Sequence, residues 1–278
     1  HVSRGAEAAA IRRDADSSSL SMTLTLDQVS VVNHGRFLVS LPPSSTIVMS
    51  TTTAVLNEAG AKWQFNNSAF STDSPPHVEQ VTWELLGTFT NKDGGSLSFG
   101  DAAAVEPIRA SQRCCIKLSG TLTNQGHAEA YQVLHIDWGR TAAQLVQFIN
   151  AGRWVMHGCD NRIVHPGSHW DVEFRFQNQA NATMLVDGSR GHPDDGSPLS
   201  DFPDLAGATS GYQNKAIVYN SGKFEVSMGL CAPGSAFNLQ WLDLHRRRTS
   251  FIYEGSGGGG EWVVNVPNFH IGGTSAYQ

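Results

Sequence analysis

The densest run of side chains able to bind a metal or move protons is His157, Cys159, Asp160, His165, His169, Asp171 and Glu173. Imidazole, thiolate and carboxylate are the ordinary ligands of zinc and related ions. A helix would bring His165 and His169 onto one face, but Pro166-Gly167 stands between them and forbids one. The rings are not pre-arranged by local geometry, so they read as histidines at turns and strand starts rather than as a metal site. His1 offers an amine and a ring to copper, yet a polar, Ala-rich stretch separates it from the first strand at Met22.

Glycoside hydrolysis needs two facing carboxyl groups. Glu79, Glu84, Glu173 and Glu225 fall on predicted strands and could meet across a concave sheet, but no spacing selects a pair. Trp170 and Trp241 could stack on sugars, although tryptophan more often anchors cores and interfaces. The nearest approach to a nucleophile elbow, Gly95-Ser96-Leu97-Ser98-Phe99-Gly100, has the wrong spacing and precedes no helix. No phosphate-binding loop, dinucleotide fingerprint, H-E-x-x-H or C-x-x-C occurs. No catalytic, cofactor-binding or metal residue is therefore assigned, and no cofactor is expected.

Bulk properties narrow the class. Hydrophobic residues make up 40% of the 278 and charged residues 16%, the balance of a folded chain. A net charge of −6 lacks the basic field of a protein that grips phosphates, so RNA contact is at most weak. It would fall to Arg12, Arg13, Arg246, Arg247 and Arg248. No apolar stretch is long enough to span a bilayer. Cys114, Cys115, Cys159 and Cys231 are too sparse to announce a disulfide scaffold, and the sequons at Asn66 and Asn181 are within chance.

The elements that must hold these residues read as strands. Met22, Leu24 and Leu26 alternate with Thr23 and Thr25, and Val172, Phe174 and Phe176 with Glu173 and Arg175, the period-2 pattern of half-buried strands. Further strands are predicted at Val78 to Thr90, Ile116 to Leu122, Tyr131 to Trp138, Phe224 to Leu230 and Phe237 to His245. Turn chemistry at Asn33-His34-Gly35, Asn91 to Gly95, Asn124-Gln125-Gly126, Pro166-Gly167, Asp187-Gly188 and Pro233-Gly234 suggests hairpins and antiparallel pairing. One helix is predicted: Thr141 and Gln144 form a capping box, Ala142, Leu145, Val146 and Ile149 share a face, and Gly152 stops it. Asp187 to Gly211 and Gly255 to Gly260 read as loops. A weak similarity between Leu118 to Asp137 and Val226 to Asp243 reads as shared hairpin geometry rather than duplication.

The expected architecture is an all-β, antiparallel β-sandwich of jelly-roll type with one short helix and long loops. Residues 1–20 form an N-terminal arm, 21–250 the sandwich and 251–278 a C-terminal tail. From Cys114 onward the order of strand Cys114 to Leu122, turn, strand to Asp137, helical connection, His165-Pro166-Gly167-Ser168, strand Val172 to Phe176, long loop and closing strands resembles the jelly-roll coat proteins of picorna-like viruses of the comovirus type. A start at His1 without Met and an end at Gln278 suit polyprotein cleavage. The resemblance implies a structural capsid protein that assembles with copies of itself and sister subunits into a non-enveloped icosahedral virion. The alternative is a secreted, extracellular β-sandwich, either glycan-binding or polysaccharide-active, with Arg12-Arg13 as a processing site.

Overall fold

The computed structural model describes residues 22–41, 44–66, 81–100, 108, 113–138, 145–158, 161–164, 172–188, 199–201, 214–227, 236–240, 250–254, 261–265 and 268–272. Strands follow one another around successive coils. The first coil runs through β1 (Thr23–Leu26), β2 (Ser30–Asn33) and β3 (Arg36–Ser40), the second through β4 (Ser45–Met49), β5 (Ala54–Asn57) and β6 (Lys62–Asn66). The third comprises β7 (Val81–Leu85), β8 (Thr88–Asn91) and β9 (Ser96–Phe99), the fourth β10 (Arg113–Leu118), β11 (Thr121–Asn124) and β12 (His127–Ala130). The fifth holds β13 (Val133–Trp138), β14 (Leu145–Asn150) and β15 (Arg153–His157), the sixth β16 (Arg162–Val164), β17 (Val172–Asn178) and β18 (Thr183–Asp187). Then come β19 (Leu199–Asp201), β20 (Asn214–Asn220) and β21 (Lys223–Ser227), followed by β22 (Ala236–Gln240), β23 (Ser250–Glu254) and β24 (Glu261–Asn265), with β25 (Asn268–Gly272) beginning another coil.

The ladders join each strand in parallel to the strand three places along, so the first sheet is β1-β4-β7-β10-β13-β16 and the second β2-β5-β8-β11-β14-β17-β20-β23. The third is β3-β6-β9-β12-β15-β18-β21-β24, and β19-β22-β25 form a short fourth sheet with β19 beside β16. This is a three-sided parallel β-helix. It overturns the antiparallel β-sandwich of jelly-roll type. Alternation of apolar and polar residues is the same for parallel and antiparallel strands, and it signals only that one face is buried. Parallel sheets usually read as continuous apolar runs because helices cover both faces. In a solenoid the outer face meets water, and the two other strands of the coil supply the crossover that a parallel pair needs.

The predicted helix is likewise replaced, for Leu145–Asn150 is β14 and no α-helix occurs among the described residues. Val146, Phe148 and Asn150 are buried while Leu145 is 40% exposed, a strand alternation that the helical pattern passes over by leaving Phe148 unexplained. β14 also gains a parallel ladder on each side, from β11 and β17. Several predicted single strands are split at corners: Val78 to Thr90 contains β7 and β8, with Gly87 between them. A Cβ on Gly87 would lie 2.1 Å from the Thr53 carbonyl oxygen of the coil below.

Inward residues stack coil on coil. Phe65 lies flat on Phe99 at 5.1 Å, Trp138 on Phe174 at 4.8 Å, and Phe148 meets Phe176 edge to face at 5.3 Å. Each such ring, fully buried, contributes roughly 1.5–3 kcal/mol of burial free energy. The indole N–H groups of Trp63, Trp83 and Trp154 are buried without a hydrogen-bond acceptor. The indole rings themselves pack against neighbouring rings, such as Trp63 against Phe89 at 5.4 Å and Trp154 against Phe148 at 4.7 Å, both edge to face.

The turn from the second sheet to the third carries the polar spine of the molecule. Asn33, Asn57, Asn91, Asn124, Asn150, Asn178 and Asn220 each end a strand of the second sheet. Each side-chain Nδ2 donates to Oδ1 of the next, at 2.7, 2.7, 2.8, 2.9, 2.9 and 2.8 Å in order. The same Nδ2 atoms donate to backbone oxygens opening the third-sheet strand of the following coil, among them Ser96 O, His127 O, Arg153 O and Lys223 O. Asn57 to Asn220 are at most 1% exposed. A buried amide must be satisfied, and the ladder satisfies both its ends.

Candidate functional site: the outer face of the third sheet

Three files of outward side chains cross the third sheet at right angles to its strands. The first is Arg36, Lys62, Ser96, His127, Arg153, Thr183 and Lys223, and the register continues to Glu261 in β24. The second is Leu38, Gln64, Ser98, Glu129, Val155, Leu185 and Glu225. Tyr131, just past β12, falls beside His157, which pairs in register with Asp187. Each of these residues faces outward because its strand neighbours Ala128, Ala130, Trp154, Met156, Met184 and Val186 fill the interior.

Glu129 is the centre of the face. Its Oε1 accepts a hydrogen bond from His157 Nε2 at 2.8 Å, and its Oε2 accepts from Tyr131 Oη at 2.5 Å and from His127 Nε2 at 2.9 Å. The other His157 nitrogen, Nδ1, lies 3.2 Å from Asp187 Oδ2, an ion pair whose N–H is poorly aligned for a hydrogen bond. Tyr131 stacks on the His157 ring at 5.5 Å. Burial alone would raise the Glu129 pKa, but donation from His157, Tyr131 and His127 and the His157 charge outweigh it and take it down to about 2. Burial would lower that of His157, and the carboxylates of Asp187 and Glu129 outweigh this and hold it above its ordinary value.

The chemistry that follows is orientation rather than proton transfer. A carboxylate so wrapped by donors stays ionised near neutral pH and carries no proton to donate. His157 faces a carboxylate from each ring nitrogen, which favours its protonated form, and it ties β12 to β15 and β18. Glu129 in turn holds the His127 ring through Nε2, and His127 pairs in register with Arg153 in the first file.

A second mixed cluster lies on the outer face of the first sheet. Lys117 Nζ donates to Glu84 Oε1 at 2.7 Å and pairs in register with Asp137, while Cys115 Sγ lies 3.6 Å from Asp137 Oδ2. Cys114 points inward on the same strand, and its complete burial, only partly offset by a hydrogen bond with Gln132, pushes its thiol up to about 12. Both cysteines are free thiols.

The residues singled out from sequence do not converge. His157 is in the third sheet and Glu173 in the second, where Glu173 pairs with Arg175. Cys159, Asp160, His165, His169 and Asp171 lie outside the described residues, and among those described no group of three His, Cys, Asp or Glu side chains is arranged to hold a metal. Glu84, Glu173 and Glu225 occupy three different sheets and pair with Lys117, Arg175 and Lys223. His1, Arg12, Arg13, Glu79, Trp170, Cys231, Trp241 and Arg246 to Arg248 lie outside the described residues.

The Glu129 cluster was hidden from sequence because His127, Glu129 and Tyr131 meet His157 and Asp187 only across coils. A signal for the coils did exist: the ladder asparagines recur at separations of 24, 34, 33, 26, 28 and 42 residues, all within the 20–50 range typical of solenoid repeats. No helix among the described residues is long and apolar enough to cross a membrane. No protein-family model, curated protein or solved structure matches the chain.

Proposed function

We propose that the protein is an elongated scaffold that binds a linear polysaccharide along the axis of its coils, the glycan-binding alternative recast from a sandwich to a solenoid. The observation that carries this reading is the unbroken register of the third sheet's outer face over seven successive strands, from β3 to β21. Equivalent positions repeat at about the strand spacing of 4.8 Å, so a polymer laid across the strands meets a similar surface at each step. Gln64 and Ser98 of the second file are buried, and the accessible part of this face carries hydroxyl, imidazole and cationic groups, namely Ser96, Thr183, His127 and Arg153. These are the groups that bind sugar hydroxyls and substituents.

The coat-protein expectation rests on antiparallel strands in jelly-roll order, and the strands quoted for it pair in parallel here, Val172–Asn178 between Leu145–Asn150 and Asn214–Asn220. Affinity electrophoresis of the full chain through gels containing different soluble polysaccharides tests the proposal. Retardation by at least one linear polymer is expected, with light scattering giving an elongated species of about one chain. Particles of virion size together with unretarded migration would return the shell reading.

A further inference from the structure

Resting on the polysaccharide reading, we infer that the polymer is a polyuronate, held by its carboxylates on the file Arg36, Lys62, His127, Arg153 and Lys223. The chain as a whole carries a net charge of −6, yet this file over seven strands holds four permanent cations and a histidine and no carboxylate until the register reaches Glu261. Charge of one sign aligned against the sign of the whole molecule marks a surface for the opposite charge.

The order along the file is basic, basic, hydroxyl: Arg36, Lys62, Ser96, then His127, Arg153, Thr183, then Lys223. The unit recurs every three strands, about 14 Å at the usual parallel spacing. Arg36 donates to Gln64 Oε1 at 3.1 Å, His127 is held by Glu129, and Lys223 is paired with Glu225 at 2.8 Å. Lys62 and Arg153 have no carboxylate within ion-pair distance among the described residues, and Arg153 is exposed. They are the cations best placed to receive a ligand's carboxylates, Arg153 as a bidentate fork.

Sparse cations with acids nearby select for sparse anions. Glu58 and Asp93 on the adjoining turns, and Glu129 and Glu225 in the next file, would repel a densely charged polymer. Duplex DNA presents a phosphate about every 3.4 Å on each strand. Single strands need aromatic platforms, and the one aromatic side chain described outward on this face, Tyr131, is already stacked on His157. One carboxylate per sugar, with hydroxyls between to meet Ser96 and Thr183, fits better.

The experiment is isothermal titration of the full chain with sodium polygalacturonate fragments, an uncharged linear β-glucan, and single-stranded DNA, each at low and moderate salt. Lys62→Ala combined with Arg153→Ala is compared with wild type and with Lys117→Ala, which removes a charge from the first sheet. Circular dichroism and melting confirm that each variant folds. The expected result is polygalacturonate binding that weakens with salt, falls at least tenfold in the double variant and is unchanged in Lys117→Ala. Polygalacturonate binding unaltered in the double variant overturns the file as the site. Binding of the uncharged glucan alone overturns the polyuronate but leaves the polysaccharide scaffold standing, and no binding of either glycan removes both. Binding of DNA in preference to polygalacturonate, abolished in the double variant, assigns the file to nucleic acid instead.

Discussion

Asn124 stands in the middle of the asparagine ladder, and changing it to Asp exchanges two hydrogen-bond donors for a charge at nearly constant shape. Its Nδ2 donates to Asn150 Oδ1 at 2.9 Å, Arg153 O at 3.0 Å and Gly126 O at 3.3 Å, and its Oδ1 accepts from Asn91 at 2.8 Å. In Asn124→Ala, the buried Asn150 Oδ1 loses its ladder donor, which costs about 1–3 kcal/mol, and Asn91 keeps two of three acceptors, a loss of about 0.5–1 kcal/mol. The sum, about 1.5–4 kcal/mol, corresponds to a drop in Tm of about 3–16 °C for a folded unit of this size. Asn124→Asp costs more at neutral pH, because the carboxylate faces three oxygens and its folded pKa is raised. The sign follows: the extra penalty is full well above that raised pKa and vanishes as pH falls below the ordinary carboxylate value, where the protonated acid donates one bond. Asn33→Ala, at the half-buried end of the ladder, costs about 1 kcal/mol because water reaches the freed groups. Denaturant titration of the three variants at pH 7 and pH 4 is the assay. Equal losses for Asn33→Ala and Asn124→Ala, or an Asn124→Asp variant as stable at pH 7 as at pH 4 relative to wild type, would refute the reasoning.

Other predictions follow from single sites. His157, with its folded pKa above the ordinary 6.5, contributes stability that is full below that value and is lost as pH rises through the folded pKa; Glu129, brought from 4.5 to about 2, contributes stability that is full above 4.5 and is lost as pH falls towards 2. The cluster is therefore strongest between about pH 4.5 and 6.5, and His157→Gln should flatten the alkaline side of a Tm against pH curve and, by removing the main partner that holds the Glu129 pKa down, make the acid side shallower as well. Cys114, buried with its thiol pushed up to about 12, should resist alkylation at pH 8 in the native state and react in denaturant, as read by peptide mapping. Gly152→Ala places a Cβ 2.1 Å from Gly126 O in the coil below, and should cost about 1–3 kcal/mol in denaturant unfolding through forced separation of coils.

Strand content was legible because burying one face imposes a period of two whatever the sheet. Val172, Phe174 and Phe176 are buried as their alternation demands. Pairing was not legible from that pattern, since each partner lies three strands away and the turns that resemble hairpin signals join different sheets. Asn33-His34-Gly35 and Asn124-Gln125-Gly126 look like reversals, yet each turns the chain through a corner, and the asparagine is held by the next coil rather than by its own turn alone. Asn150, Asn178 and Asn220 complete the series, but Asn150 was absorbed into a helical pattern ending at Gly152. The Glu129 network left only a partial local trace: Tyr131 and His127 flank Glu129 in sequence, but His157 and Asp187 arrive from the two following coils.

The polysaccharide scaffold makes its most direct prediction about ligand length. The third sheet's files span six strand intervals from Arg36 to Lys223, about 29 Å. Calorimetric titration with oligosaccharides of increasing length, drawn from whichever polymer retards the chain, should show affinity rising with each added sugar until the oligomer covers that distance, then levelling at one site per chain. A monosaccharide that binds as tightly as the polymer would place recognition in a point-like pocket and contradict a ligand lying along the coils.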